Sequence, residues 1–152
     1  MNPSTFENIF VSGGAGFIGS HLSRKLLAAP TTGRLVIFDN FSSGQESYLA
    51  DFALDPRVEV VRADLKDLPA VKAAMKGCDT VFHLAANPDI AKAVTQPDID
   101  FWEGTYLAQN VLEAMRVNGV RIAVPSMSVA LPVKMIQPDV GSPTTLPSFS
   151  VR

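Results

Sequence analysis

Cysteine, basic clusters and long apolar runs are scarce or missing in this sequence of 152 residues. Cys78 is the only cysteine, so the chain forms no internal disulfide, which is consistent with a reducing cytoplasm. The net charge is −2 and no Lys/Arg cluster occurs, which argues against binding to nucleic acid. No apolar stretch approaches the roughly 18 residues of a membrane span, and the N-terminus has no signal-peptide pattern. We therefore expect a cytoplasmic protein without a membrane or nucleic-acid partner.

The composition, with 47% apolar and 18% charged residues, is that of a globular domain rather than a disordered chain. Short β-rich runs alternate with helical segments, which predicts an α/β fold with a doubly wound parallel sheet of about five strands. The predicted strands are 9–12, 34–39, 58–64, 79–86 and 120–126. The predicted helices are 17–28, 68–77 and 97–119, with a short additional one over 45–54.

The stretch FVSGGAGFIGSHL, which begins at residue 10, places three glycines at every third position between the first strand and the first helix. Gly13 would permit a tight turn, Gly16 a close approach of the backbone to a pyrophosphate, and Gly19 close packing of the helix on the strand. Phe17 and Ile18 would present backbone N–H groups at the helix start, which favours an anion. The simpler alternative is a glycine turn that binds nothing.

An acidic residue stands at the carboxyl end of two of the predicted strands. Asp39 ends the second strand, twenty residues after Gly19, where a carboxylate can accept hydrogen bonds from an adenosine ribose. Such a carboxylate would repel a 2′-phosphate and no arginine follows in NFSSGQE, so NAD is favoured over NADP. Asp64 follows the third strand, where it would face the adenine amino group, cap the next helix, or do both. These signals together predict a dinucleotide-binding site and no metal site.

Five motifs, GGAGFIGSHL, VIFDNFSSG, ADL, HLAA and GTYLAQNVLEAMRVNGVRIAV, occur in order over residues 8–128. They resemble the extended short-chain dehydrogenase/reductase family, and within it the NAD-dependent nucleotide-sugar epimerases and dehydratases of the UDP-glucose 4-epimerase type. The resemblance implies a Rossmann fold, a tightly bound NAD that is reduced and reoxidised within one turnover, and a nucleotide-sugar substrate. By the same resemblance the cofactor-binding positions are Gly13, Gly16, Phe17, Ile18, Asp39, Asn40, Ser43, Gly44, Asp64, Leu65, Leu84, Ala85 and Ala86.

The resemblance also places a catalytic serine at Ser128, within PSMSVALP, where it would bond the substrate hydroxyl. The family's Tyr-x-x-x-Lys is missing, because Tyr48 and Tyr106 are followed four residues later by Phe52 and Asn110. Removal of hydride from a hydroxyl requires a proton acceptor. We therefore expect the NAD-binding portion of an epimerase that is inactive alone. A non-enzymatic NAD-binding or partner module, and a dehydratase or hydroxysteroid-type reductase, are the alternatives.

Residues 125–152 hold five of the eleven prolines and show no helical pattern. The predicted organisation is a Rossmann domain over 1–128 and an extended proline-rich tail over 129–152. Pro125 predicts an edge position for the last strand, since proline cannot donate to a ladder. That edge and the helix over 97–118, which the resemblance associates with dimer contacts, predict a homodimer or larger species.

For four other side chains we expect a structural role. His83 lies in an apolar strand, which indicates a hydrogen-bonded core residue rather than a catalyst. Cys78 is expected to be inert. Trp102 and Tyr106 lie four residues apart on the predicted long helix and should pack together rather than bind a sugar.

Overall fold

Five parallel strands and their connecting helices make up the structure, a computed structural model that describes residues 6–87, 90–96 and 98–125. The strands are β1 (Asn8–Ser12), β2 (Arg34–Asp39), β3 (Val58–Arg62), β4 (Thr80–His83) and β5 (Ile122–Pro125). The helices are α1 (Phe17–Ala28), α2 (Leu68–Ala74), α3 (Ile90–Thr95) and α4 (Tyr106–Asn118). A 3₁₀ turn (Glu46–Tyr48) follows β2, and a π-helical turn (Phe101–Thr105) leads into α4.

The strand order is β3-β2-β1-β4-β5, and every pairing in it is parallel. The chain winds outward from β1 to β3, then returns to the other side of β1 with β4 and β5. This confirms the predicted doubly wound sheet of the Rossmann type. In such sheets a ligand binds outside the carboxyl ends of the strands, at the point where the strand order reverses. Here that point lies between β1 and β4.

Alternate residues of β1 and β2 face opposite sides of the sheet and belong to two separate hydrophobic clusters. Phe10 and Phe38 pack on the side of α2 and α4, with ring centroids 5.4 Å apart. Ile9 and Ile37 pack on the side of α1. Both central strands read as continuous apolar runs because both of their faces are buried.

The predicted and observed elements agree best in the first third of the chain. The bounds of α1 and β2 are as predicted. β3 and β4 end earlier than expected, at Arg62 and His83, because the following residues leave the sheet and form loops. The helix predicted over 45–54 is wrong beyond the short 3₁₀ turn, and α3 was not predicted.

The predicted long helix begins with the π-helical turn and continues as α4, which ends as expected at Gly119 (φ +69°). The helix predicted over 68–77 ends earlier, at Ala74, because Met75 is its C-cap and Gly77 follows with φ +78°. Within the described sheet β5 is an edge strand, as predicted, and its residue Pro125 lies opposite His83 of β4. Ser128 and the predicted tail over 129–152 lie outside the described residues.

None of the helices in the described part of the chain combines the length and the apolar character needed to cross a membrane.

Candidate functional site

A cleft of about 320 Å³ opens where the chain leaves the carboxyl ends of β1, β2, β3 and β4. This volume is within the range of small-molecule sites, roughly 300–1,000 Å³. Twelve of the thirteen predicted cofactor positions line it. They are Gly13, Gly16, Phe17, Ile18, Asp39, Asn40, Ser43, Asp64, Leu65, Leu84, Ala85 and Ala86. Gly44, the thirteenth, is not among the lining residues but lies close to Ala15 and Asp39. The structure thus brings these residues together, and their contact with a cofactor stays a prediction.

The glycine turn at the floor of the cleft depends on close backbone contacts. Gly13 has φ +70°, and a Cβ there would lie 2.7 Å from the backbone nitrogen of Ala85. Its own N–H donates to the carbonyl of Phe38 at 2.9 Å, which fixes the turn to β2. A Cβ on Gly19 would lie 2.3 Å from the Gly13 carbonyl oxygen. Gly19 therefore lets α1 pack against the turn itself rather than only against the strand.

Gly16 is the N-cap residue of α1, is half-buried and lines the cleft. Its φ of −76° suits any residue, and no side chain caps the helix there. A Cβ on Gly16 would meet only the Gly13 carbonyl oxygen, at 3.3 Å, with open space around it. The first N–H groups of a helix have no intrahelical partner, and the helix dipole favours a negative charge near them. The start of α1 therefore offers an anion-binding position at the cleft.

Asp39 is buried at the end of β2, and both of its carboxylate oxygens accept backbone hydrogen bonds. Oδ2 accepts from the Ala15 N–H at 2.9 Å, and Oδ1 accepts from the Phe41 N–H at 2.8 Å. Phe41 has φ +58°, an uncommon conformation for a non-glycine residue. A carboxylate has about four acceptor positions, so two remain for hydroxyl groups of a ligand. A Cβ on Gly44 would lie 3.0 Å from Oδ1, so this glycine lets its loop close against Asp39.

The loop after β3 forms another wall of the cleft. Asp64 accepts from the Asn40 side chain at 3.2 Å and from the Lys66 N–H at 2.8 Å. It does not cap α2, because Asp67 takes that position and accepts from the Ala70 N–H at 3.1 Å. The helix-cap alternative for Asp64 is therefore wrong. The carboxylate instead ties the loop after β2 to the loop after β3.

Seven lining residues were not among the predicted cofactor positions: Gly19, Phe38, Ser42, Ala63, Asn87, Glu103 and Leu107. Glu103 is the most informative of them, because it brings a third carboxylate to the cleft. It lies on the π-helical turn and forms an ion pair with Lys66. This pairing raises the pKa of Lys66 above its ordinary value. The only sequence signal is that Glu103 directly precedes the motif GTYLAQN.

The ionisable residues that line the cleft, Asp39, Asp64 and Glu103, are all acidic. No lysine or arginine of the described chain is among the lining residues. A bound phosphate group would therefore depend on the backbone N–H groups and dipole of α1. An additional phosphate near Asp39 would be repelled.

His83 is a hydrogen-bonded core residue and Trp102 packs against Tyr106, as expected; that none of these side chains is catalytic, reactive or sugar-binding stays a prediction. His83 is buried, its Nδ1 lies 2.7 Å from the Ser12 hydroxyl, and burial lowers its pKa to about 4. Burial raises the pKa of the Cys78 thiol to about 11, which keeps the thiol protonated at neutral pH. Trp102 and Tyr106 pack edge to face, with ring centroids 5.5 Å apart. In the described ranges no group of three or more His, Cys, Asp or Glu residues is placed to hold a metal ion.

The model of the NAD dependent epimerase/dehydratase family matches residues 9–144. The chain belongs to this family. It is 34% identical over 110 residues to a dTDP-glucose 4,6-dehydratase from Streptomyces antibioticus, covering 69% of this chain and 30% of that one. It is 36% identical over 121 residues to a UDP-glucose 4-epimerase from Mycolicibacterium smegmatis, covering 78% and 37%.

A solved structure supports the same assignment. The UDP-glucose 4-epimerase of Thermus thermophilus, in complex with NAD, is 32% identical with a TM-score of 0.66. The match covers 76% of this chain and 36% of that one. The chain thus spans about a third of the length of these relatives. NAD is the cofactor of the family, as its description states.

Proposed function

We propose that this chain binds NAD in the cleft, as the nucleotide-binding portion of a nucleotide-sugar epimerase. The observation that carries the proposal is one continuous cleft that joins the uncapped start of α1 to the buried carboxylate of Asp39. These are the two groups that a dinucleotide requires, one for its pyrophosphate and one for its adenosine ribose.

The described residues fit the cofactor in shape as well as in charge. The open space at Gly16 lets the pyrophosphate approach the backbone, and the N–H groups of Phe17 and Ile18 would bind it. The two remaining acceptor positions of Asp39 would take the ribose hydroxyls. The side chains of Phe17 and Ile18 are 66% and 70% exposed, and a bound dinucleotide would cover part of this apolar surface.

The chemistry that NAD supplies when bound is the acceptance and return of a hydride. The described residues bind and orient the dinucleotide, while Ser128 is proposed to bond the substrate hydroxyl. The sequence contains no Tyr-x-x-x-Lys, and general acid–base assistance contributes about 10²–10⁴ in rate. We therefore propose that these 152 residues do not turn over a nucleotide sugar alone.

The proposed activity of a complete enzyme that contains this portion is epimerisation at C4 of a nucleotide sugar, by way of a 4-keto intermediate. A dTDP-glucose 4,6-dehydratase is a second candidate, because relatives with that name match equally well. A non-enzymatic NAD-binding or partner module is a third, which the same cleft would serve.

Calorimetry tests the cofactor proposal directly. The chain should bind NAD and should bind NADP at least about tenfold more weakly, since a 1.4 kcal/mol penalty beside Asp39 suffices for that ratio. Failure to bind NAD, or equal affinity for both, would contradict the proposal. An epimerase assay with UDP-glucose and UDP-galactose should show no turnover. Turnover that disappears in Ser128→Ala would show that the chain carries a substitute base.

We also propose that the chain forms a homodimer or larger species. The support is the edge position of β5 within the described sheet and the exposure of Val117 on α4 and of Val124 on β5. Unpaired strand edges with apolar side chains favour pairing with another chain. Light scattering should give at least twice the mass of one chain, and a monomer at tens of micromolar would contradict this.

A further inference from the structure

Two side-chain contacts join the loop after β3 to the helical segment on the other side of the cleft. One is the hydrogen bond from the Asn110 side chain to the Leu65 carbonyl, at 2.9 Å. The other is the ion pair between Lys66 and Glu103. The two contacts start from adjacent residues of the loop and reach α4 and the π-helical turn that precedes it. Both therefore set the distance between the same two walls.

The two contacts differ in their exposure to solvent. The Asn110 contact is buried, and breaking it would leave a buried carbonyl without a partner, which is costly. The side chains of Lys66 and Glu103 are 41% and 33% exposed, and exposed ion pairs are weak and easily broken. The Asn110 contact is thus a permanent anchor, whereas the ion pair can open and close without unfolding the wall.

The ion pair is also coupled to the cleft at both of its ends. Glu103 itself lines the cleft, and so do Asp64 and Leu65. The N–H of Lys66 donates to Asp64 Oδ1 at 2.8 Å, so the position of Lys66 depends on that carboxylate. Opening the ion pair would therefore release the Lys66 and Glu103 side chains at the end of the cleft where Asp64 lies, while the Asn110 contact keeps the backbone of both walls in place.

We propose that Lys66 and Glu103 form a clasp across the Asp64 end of the cleft, and that this clasp slows the release of the bound dinucleotide. Glu103 is then a positioning residue for the adenosine half. The clasp rests on the proposed function, because its ligand is NAD or NADH. It adds to that function a gate made by two residues that lie 37 positions apart in the chain.

A clasp and a simple charge effect predict different signs for two single variants. Glu103→Gln removes a negative charge from the cleft, and Lys66→Met removes a positive charge beside it. If the residues act only through their fields on an anionic ligand, the first variant should bind more tightly and the second more weakly. If they act as a clasp, both variants should release the ligand faster. The exchanged pair Lys66→Glu/Glu103→Lys should then restore slow release.

The release rate can be measured with the protein's only tryptophan. Trp102 lies beside Glu103 on the π-helical turn, so its emission should transfer to NADH bound in the cleft. Mixing the protein–NADH complex with excess NAD in a stopped-flow instrument gives the dissociation rate from the loss of this transfer. Glu113→Gln is the control, because Glu113 links α2 to α4 through Lys72 at 3.5 Å and also pairs with Arg116 of its own helix at 2.8 Å, away from the cleft. Thermal unfolding of each variant checks that it is folded.

We expect dissociation to accelerate about two- to fivefold in both single variants, the range for loss of an exposed ion pair. It should return to within twofold of the wild-type rate in the exchanged pair, and Glu113→Gln should not change it. Opposite effects of the two single variants, unchanged rates, or equal acceleration by Glu113→Gln would each overturn the clasp while leaving NAD binding intact. Failure of the wild-type chain to bind NADH would overturn the proposed function and the clasp together.

Discussion

Replacing Asp39 with alanine removes an acceptor that the protein uses twice before any ligand binds. The Ala15 N–H and the Phe41 N–H both donate to this buried carboxylate. The first bond holds the glycine turn, and the second holds Phe41 in its left-handed conformation at φ +58°. The substitution should therefore weaken the fold as well as the cofactor site.

The size of both effects follows from these contacts. A hydrogen bond to a charged acceptor contributes about 1.5–3 kcal/mol, so losing two should lower the free energy of unfolding by about 3–6 kcal/mol. For a chain of this size that corresponds to about 6–24 °C in the unfolding temperature. Loss of the ribose contact should weaken NAD by about 1–3 kcal/mol more, or roughly 5- to 150-fold.

Asp39→Asn keeps the volume of the side chain but replaces one of its two acceptor oxygens with an NH₂ group. Its amide has one oxygen, so the NH₂ group would face one of the two backbone donors, and we expect it to be destabilised almost as much as Asp39→Ala. Asp51→Asn is the control, because Asp51 forms an exposed ion pair with Arg24, of the kind that contributes about 0–1 kcal/mol.

Urea unfolding gives the stabilities of these variants, and calorimetry below each variant's transition gives the NAD affinities. An Asp39→Asn protein as stable as wild type would refute the role of the two backbone bonds. An Asp39→Ala protein that binds NAD with wild-type affinity would remove Asp39 from the cofactor site.

The remaining predictions concern two glycines and two buried groups. Gly16→Val should abolish NAD binding in calorimetry with an unfolding temperature near that of wild type, whereas Gly19→Ala should unfold at a lower temperature, because its Cβ would lie 2.3 Å from the Gly13 oxygen. His83 has its pKa lowered to about 4 from 6.5, so it contributes stability above pH 6.5 that is lost as the pH falls toward 4. Urea unfolding should show this as a decrease of about 3 kcal/mol, which His83→Gln should reduce. Cys78, with its pKa raised to about 11, should resist iodoacetamide in the native protein and react once the chain is unfolded in urea.

The features that could be predicted from the sequence depend on neighbouring residues. The glycine spacing, the apolar run of β2 and the position of Asp39 at its end are all local signals, and their bounds agree with the structure. The lining of the cleft followed from them, because the carboxyl ends of parallel strands meet at one edge of a doubly wound sheet. The motif resemblance then added positions such as Asn40 and Ser43, which no periodicity indicates.

The features that were missed depend on residues far apart in the chain. Asn110 bonds Leu65 across 45 residues, and Lys66 pairs with Glu103 across 37. Neither contact can be predicted from the local hydrophobic periodicity, because that pattern reports only on neighbouring residues. The π-helical turn was missed for a related reason, since the pattern of a long helix does not show where one turn widens. That turn carries Glu103 at the cleft, and the proposed clasp depends on it.

Asp39 accepts two backbone hydrogen bonds and is also the residue proposed to contact the ribose, which links cofactor specificity to the stability of the fold. In the simplest view, an acidic residue at the end of the second strand selects NAD only through its contact with the ribose and its repulsion of a 2′-phosphate. Here the same carboxylate holds both the glycine turn and the loop that follows β2. A substitution that removes the repulsion also leaves two backbone N–H groups without their acceptor, so a change of preference toward NADP requires new partners for both. We therefore expect the cofactor preference of this site to be coupled to the stability of its own turn, so that variants selected for NADP carry compensating changes near Ala15 and Phe41.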